Sequence, residues 1–191
     1  MKRKLLAILT AVCITATFTG GASVWAAQET GEVKDEVIVT MPTTSEPESG
    51  SVFLDGRPLH AYKGYCPVQM IWQHPEQAVN PRLRMKTVLE EGDQTEDDYI
   101  KKLGIEPDWL HRFPAELSGG ELQRFCIARA LGKSTRFLLA DEISTMLDLV
   151  TQSQIWHFLI EETQRRGIGM IIVSHSPDLV EKVCTRVLEC G

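Results

Sequence analysis

Two adjacent carboxylates, Asp141 and Glu142, close the apolar run "FLLAD" and its following residue. A run of that kind reads as a buried strand, and ligand sites gather at the carboxyl ends of strands in parallel sheets. A carboxylate pair there could hold a cation or take a proton from water. Without other groups around them, the same two side chains are simply solvated. Gln73 follows a second apolar run (67–72), and His175 ends a third, "GMIIVSH" (169–175). Each alone has a plain structural reading, a loop amide or a packing imidazole. Ser118-Gly119-Gly120 stands just before a helix start. Free N–H groups and the helix dipole favour an anion there, and paired glycines let a phosphate approach the main chain. The other reading of Ser118 is an ordinary helix cap.

The elements that must position these groups follow from the pattern of apolar residues. "SVFLDG" reads as a strand ending in a turn at Asp55-Gly56, and "PVQMIWQ" (67–73) as a second apolar run. "TEDDYIKKLG" (95–104) opens with Thr95 and early acids, carries Lys101 and Lys102 near its end, and stops at Gly104, which is how a capped helix reads. A helix is expected over 121–133, a strand over 137–141, and a long helix from Val150 to Arg166. The strand 169–175, a short helix after Pro177 and a final strand in "TRVLEC" complete the chain. Strands alternating with helices predict an α/β fold with a parallel sheet covered by helices.

The chain has 191 residues, 43% of them hydrophobic and 24% charged, which are globular values for one domain. The formal charge of −6 argues against a nucleic-acid surface, which is ordinarily basic. Cysteines 13, 66, 126, 184 and 190 form no CxxC pair and no spacing that suits zinc.

Taken in order, "QMIWQHPEQAVNPRLRM", "LSGGELQR", "LLADE", "STMLD" and "IIVSHS" resemble five motifs of one family. They match the Q-loop, signature, Walker B strand, D-loop and H-loop of an ABC transporter ATP-binding subunit, in the peptide/nickel-importer branch. The resemblance covers residues 47–191 and implies an ABC cassette of the P-loop NTPase class, with a helical signature subdomain. It implies ATP and Mg²⁺ as cofactors, with Asp141 and Gln73 toward the metal, Glu142 as general base for the attacking water, and His175 toward the γ-phosphate. Ser118, Gly119, Gly120 and Glu121, with Asp148 of the D-loop, would address a nucleotide held by the opposite subunit; Gln123 and Arg124 match the signature's polar tail. A second ATPase subunit, membrane permease subunits and a place at the cytoplasmic face of the membrane are implied as well. Three positions depart from the pattern: Ile143 where the family usually has Pro, Met146 for a small D-loop residue, and Ser176 for the Asp after the H-loop histidine. The histidines at 60, 74, 111 and 157 have no such frame and read as surface or packing residues.

One motif is missing. A P-loop needs GxxxxGK[ST], so that backbone N–H groups wrap the phosphates while Lys neutralises them and Ser or Thr reaches Mg²⁺. The single candidate, Gly132-Lys133-Ser134, has Ile127 where the first Gly belongs and follows a helix instead of a strand. The cassette therefore reads as partial, lacking Walker A, with ATP handling impaired. In the family the P-loop strand is interior to the sheet. Losing three or four of its buried side chains, at about 1.5–3 kcal/mol each, removes roughly 5–12 kcal/mol, against a whole-domain stability of about 5–15 kcal/mol. Val37-Ile38-Val39 could fill the vacant strand position, but no glycine loop or helix follows it, so ATP binding would not be restored.

The front of the chain reads differently. Residues 1–27 begin with Lys2, Arg3 and Lys4, continue in an apolar run from Leu5 to Phe18, and offer small residues around Val24-Trp25-Ala26. That is the layout of a secretory signal peptide cut after Ala26, too short and too rich in Thr and Gly for a membrane span. Residues 28–46 are polar and rich in Glu, Thr and Pro, as a linker is. Three functions compete on these grounds: an importer ATPase, a non-catalytic partner that completes another subunit's site, and an exported chimera without activity.

Overall fold

A computed structural model describes residues 4–9, 53–93, 97–144 and 147–190. Val37-Ile38-Val39, the linker and the cleavage segment lie outside them, as do Thr95 and Met146. Seven strands are present among the described residues: β1 (Lys4–Leu9), β2 (Phe53–Leu54), β3 (Arg57–Pro58), β4 (Val68–Ile71), β5 (Phe137–Asp141), β6 (Gly169–Ser174) and β7 (Arg186–Cys190). The α-helices are α1 (Met85–Glu90), α2 (Asp97–Lys102), α3 (Gly119–Ala130), α4 (Leu149–Arg166) and α5 (Pro177–Val183).

β2 and β3 form a hairpin in which Phe53 pairs with Pro58 and Leu54 with Arg57. Its two turn residues, Asp55 and Gly56, have φ of 52° and 69°. Positive φ at both central positions is what a two-residue turn needs to follow the twist of its strands. Arg136 Nη2 donates to Asp55 Oδ1 at 3.2 Å, fastening the hairpin to the residue that precedes β5.

The main sheet runs in the order β4-β5-β6-β1-β7. β4, β5 and β6 are parallel neighbours, with Ile71 opposite Ala140 and Asp141 opposite Val173. β5 is buried along Phe137, Leu138, Leu139 and Ala140, and β6 along Met170, Ile171 and Ile172. Such near-continuous apolar strands are what a sheet covered on both faces requires. Gly169 is needed where it stands, because a Cβ there would lie 2.6 Å from Cε1 of Phe137.

The expectation of a parallel sheet is corrected at one strand. β1 lies between β6 and β7 and is antiparallel to both, with Leu5 opposite Ser174 and Leu9 opposite Met170 on one side. Lys4 faces Cys190 and Ile8 faces Arg186 on the other. The sheet is mixed, and the position between β6 and β7 is held by Lys4–Leu9. The physical reason is backbone satisfaction: two strands with unpaired N–H and C=O groups need a partner between them. "LLAIL" is apolar without interruption, as an interior strand must be.

The helices between β4 and β5 make the expected helical region. α3 buries Leu122, Gln123, Phe125, Cys126, Ile127, Ala128 and Ala130. It starts two residues earlier than expected, because Ser118 is the cap and both glycines belong to the first turn. It ends at Ala130, short of 133, because the next N–H groups donate elsewhere, Gly132 to the Tyr65 hydroxyl at 3.2 Å and Lys133 to the Asp93 carbonyl at 2.6 Å. Arg166 then donates to the orphan oxygens of Leu131 at 2.8 Å, Gly132 at 2.7 Å and Lys133 at 3.0 Å. α4 stops at Gly167, whose φ of 65° is the left-handed conformation that closes a helix, and Ile168 N–H reaches back to Thr163 at 2.9 Å. α2 packs on α4 through an edge-to-face pair, Tyr99 and Phe158, with ring centroids 5.4 Å apart.

Beside that pair is a buried polar network. Tyr99 hydroxyl donates to Glu162 Oε1. Arg165 Nε donates to Glu162 Oε2 at 3.0 Å, and Arg166 Nη1 donates to the Tyr99 oxygen at 3.0 Å. Glu162 is 1% exposed. Burial pushes its carboxyl up, but the hydrogen bonds from Arg165 and Tyr99 outweigh burial and hold it below the usual range.

Candidate functional site

The carboxyl ends of β4, β5 and β6 lie side by side, and Gln73, Glu142 and His175 each stand one or two residues past one of them. The structure brings these three together. Gln73 Nε2 donates to Glu142 Oε2 at 3.2 Å, and His175 Nε2 lies 2.8 Å from Glu142 Oε1. Glu142 thus has one oxygen against an amide and the other against an imidazole. Its side chain is 10% exposed, whereas that of His175 is 34% exposed, so the cluster opens toward solvent on the histidine side.

The backbone at Glu142 is unusual. Its φ is 48°, in the left-handed region that a residue with a Cβ occupies at a cost of about 1–2 kcal/mol. Glu142 N–H donates to Val173 at 3.0 Å, carrying the β5–β6 ladder one step beyond the strand. Strain of this kind persists where neighbouring contacts over-determine the conformation. Here it turns the chain out of the sheet directly after Asp141, which ends β5 and is half-buried.

Ser118 is the cap of α3, as one of its two readings anticipated. Its Oγ accepts from Glu121 N–H at 3.3 Å, and its own N–H donates to Glu121 Oε2 at 2.6 Å. The Ser118 backbone hydrogen bond holds the Glu121 carboxyl below its ordinary value. Gly119 has open space where a Cβ would be, while a Cβ on Gly120 would sit 3.4 Å from Leu147 Cδ2. Asp148 caps α4: its Oδ1 accepts from Val150 and Thr151 N–H groups, both at 3.0 Å. Hydrogen bonding to Thr151 is the main reason its carboxyl stays below the ordinary value. Leu149 and Val150, which follow, are 83% and 67% exposed.

Two groups that sequence reasoning treated only as a polar tail join these parts. Gln123 is buried at 1% exposure and its Nε2 donates to the carbonyl of Trp72 at 3.2 Å, linking α3 to the residue beside Gln73. Arg124 bonds the Leu103 carbonyl at the end of α2 and reaches Gln154 of α4 at 3.2 Å. His60, His111 and His157 are exposed, and His74 pairs with Glu76 at 3.2 Å.

Gly132-Lys133-Ser134 is internally occupied. Gly132 N–H donates to the Tyr65 hydroxyl at 3.2 Å, Lys133 N–H to the Asp93 carbonyl at 2.6 Å, and Ser134 N–H to Asp93 Oδ2 at 2.9 Å. Its amides are therefore turned to protein acceptors and cradle no phosphate. Among the described residues no group of three or more His, Cys, Asp or Glu side chains is placed to hold a metal ion. The described residues by themselves do not fit a magnesium-nucleotide complex.

A family model described as ABC transporter matches residues 34–145. The nickel import ATP-binding protein NikE of Rhodospirillum rubrum is 32% identical, over 91% of this chain and 69% of that protein. The oligopeptide transport ATP-binding protein OppF of Streptococcus mutans is 27% identical, over 73% of this chain and 52% of its own length. A probable peptide ABC transporter ATP-binding protein of Sinorhizobium fredii is 29% identical, and the chain spans 54% of it. Among solved structures, a dimeric bacterial ABC transporter cassette, MJ0796, matches with a TM-score of 0.60 at 20% identity, over 78% of this chain and 77% of its own. The post-hydrolysis form of MJ0796 bound to ADP and Pi matches with 0.61 at 16% identity, over 97% and 99%. At these identities the solved structures speak for the fold.

Proposed function

This chain belongs to the ABC transporter family of ATPases, and on that premise we propose that it is an ATP-binding-cassette subunit of an importer for peptides or nickel-like metal ions. The observation that carries the reading is Glu142 held between Gln73 and His175 at the ends of three adjacent parallel strands. Glu142 is the proton acceptor of that cluster, Gln73 and His175 position its two oxygens, and Asp141 ends the strand that delivers it. The sequence carries no GxxxxGK[ST] motif to accompany them, so in this reading the chain on its own is impaired in turnover. It works beside a second cassette subunit and permease subunits, at the cytoplasmic face of the membrane.

A second reading is a partner that completes another subunit's site without hydrolysing ATP. It is favoured by α3, whose Ser118 cap, open Gly119 and depressed Glu121 carboxyl stand together in one helical turn. In that reading Ser118, Gly119, Gly120, Glu121 and Asp148 address a nucleotide bound elsewhere.

ATP turnover by the purified full chain, alone and mixed with an intact importer cassette, separates these. The expected result is turnover alone no higher than that of Glu142→Gln. Turnover clearly above that control overturns the impairment. Stimulation of the intact cassette that survives Glu142→Gln but is lost in Ser118→Ala supports the second reading over the first.

A further inference from the structure

The same short segment has two incompatible uses. Leu5–Leu9 belong to the apolar part of the signal-like segment 1–27, and with Lys4 they are also the interior strand β1. In the order β4-β5-β6-β1-β7, β7 reaches the rest of the sheet only through β1. Five residue pairs join β1 to β6 and five join it to β7. Cleavage after Ala26 would take β1 away, leaving β6 with an open edge and β7 with no strand to pair with.

We propose that pairing of β1 in the sheet and processing of the amino-terminal segment exclude one another, so that folding retains the chain and export forfeits the fold. Both fates draw on one property. A continuous apolar run serves as the core of an export signal, and it also serves as a strand buried on both faces. Once β1 is paired on both edges its backbone groups are satisfied, and an export or processing enzyme would have to extract an interior strand to engage it. Nothing in the segment distinguishes the two fates; the order of events does. The inference depends on the signal-peptide reading of 1–27 and is independent of the importer assignment.

Two measurements on the full chain test it. In amide hydrogen exchange, Leu6→Gly keeps every N–H but weakens the strand. It is expected to lower protection at least tenfold in β6 and β7 while β4 and β5 keep theirs. Unchanged protection in β7 overturns the pairing. For processing, the folded chain and the chain diluted from urea are offered to signal peptidase in membrane vesicles. The folded wild type should be cut after Ala26 at least tenfold more slowly. Val187→Pro, which breaks the β7 side of the pairing opposite Ala7 and leaves the signal untouched, should restore cutting of the folded chain. Equal rates for folded wild type and Val187→Pro overturn the exclusion. If even the urea-diluted chain is not cut, the export half of the inference falls, whatever the exchange data show about β1.

Discussion

At the residue scale, the groups that were legible in advance are those whose chemistry is announced by a strand end. Gln73, Asp141, Glu142 and His175 each follow an apolar run, and the structure gathers three of them by hydrogen bond or ion pair. Gln123, Tyr99, Glu162 and Arg166 were not legible, because their partners are 51 and 63 to 67 residues away and no local pattern announces a long-range hydrogen bond. Tyr99→Phe is expected to cost about 1–2 kcal/mol in urea unfolding, since it removes the donor to a buried carboxylate. The pH dependence is specific. Burial, followed by the neighbouring Glu162, pushes the Tyr99 hydroxyl from 10.0 up to about 12. The native state favours the neutral phenol, so this contribution is full below pH 10, where the unfolded tyrosine is also neutral, and is lost as pH rises toward 12. Glu162 has the opposite sign: its depressed native value stabilises above 4.5, the unfolded value, and that contribution disappears as pH falls through the native one. Stability curves of wild type and Tyr99→Phe should therefore converge at the alkaline end.

At the scale of elements, β4 to β7 and α2 to α5 were found where the residue pattern placed them, with their ends displaced, whereas α1 and β1 were not anticipated. α3 begins at Gly119 because Ser118 and Glu121 exchange hydrogen bonds across the first turn, an arrangement the sequence signals by its Ser-x-x-Glu spacing. Ser118→Ala is expected to cost about 0.5–2 kcal/mol, with the loss of exchange protection greatest in the first turn of α3. Gly169 was read only as the first residue of a strand; its contact with Phe137 becomes visible once β5 and β6 pair. Gly169→Ala should destabilise by about 1–3 kcal/mol in chemical denaturation, because neighbouring side chains must move to admit the methyl group. Gly167 can be compared directly: its φ is also left-handed, but a Cβ there meets nothing, so the cost of Gly167→Ala comes from backbone strain alone.

At the scale of the whole molecule, the α/β class and the succession of β4, β5, β6 and β7 along the chain followed from periodicity, whereas their order in the sheet and the direction and identity of the interior strand did not. An apolar hexapeptide at the start of a chain reads the same whether it is a leader or a strand, and only the unpaired edges of β6 and β7 decide for the strand. The antiparallel course of β1 has a last consequence. Lys4 stands opposite Cys190, so the two extremities of the described chain are ladder neighbours, separated by about 5 Å of sheet. A short peptide bridge between them would close the backbone into a ring without moving a strand. Reopening that ring at Gly64, an exposed glycine with φ of 82° and free space around it, would give a circular permutant with new ends in the loop before β4. Its melting temperature should lie close to that of the linear protein, with β1 now internal to the polypeptide.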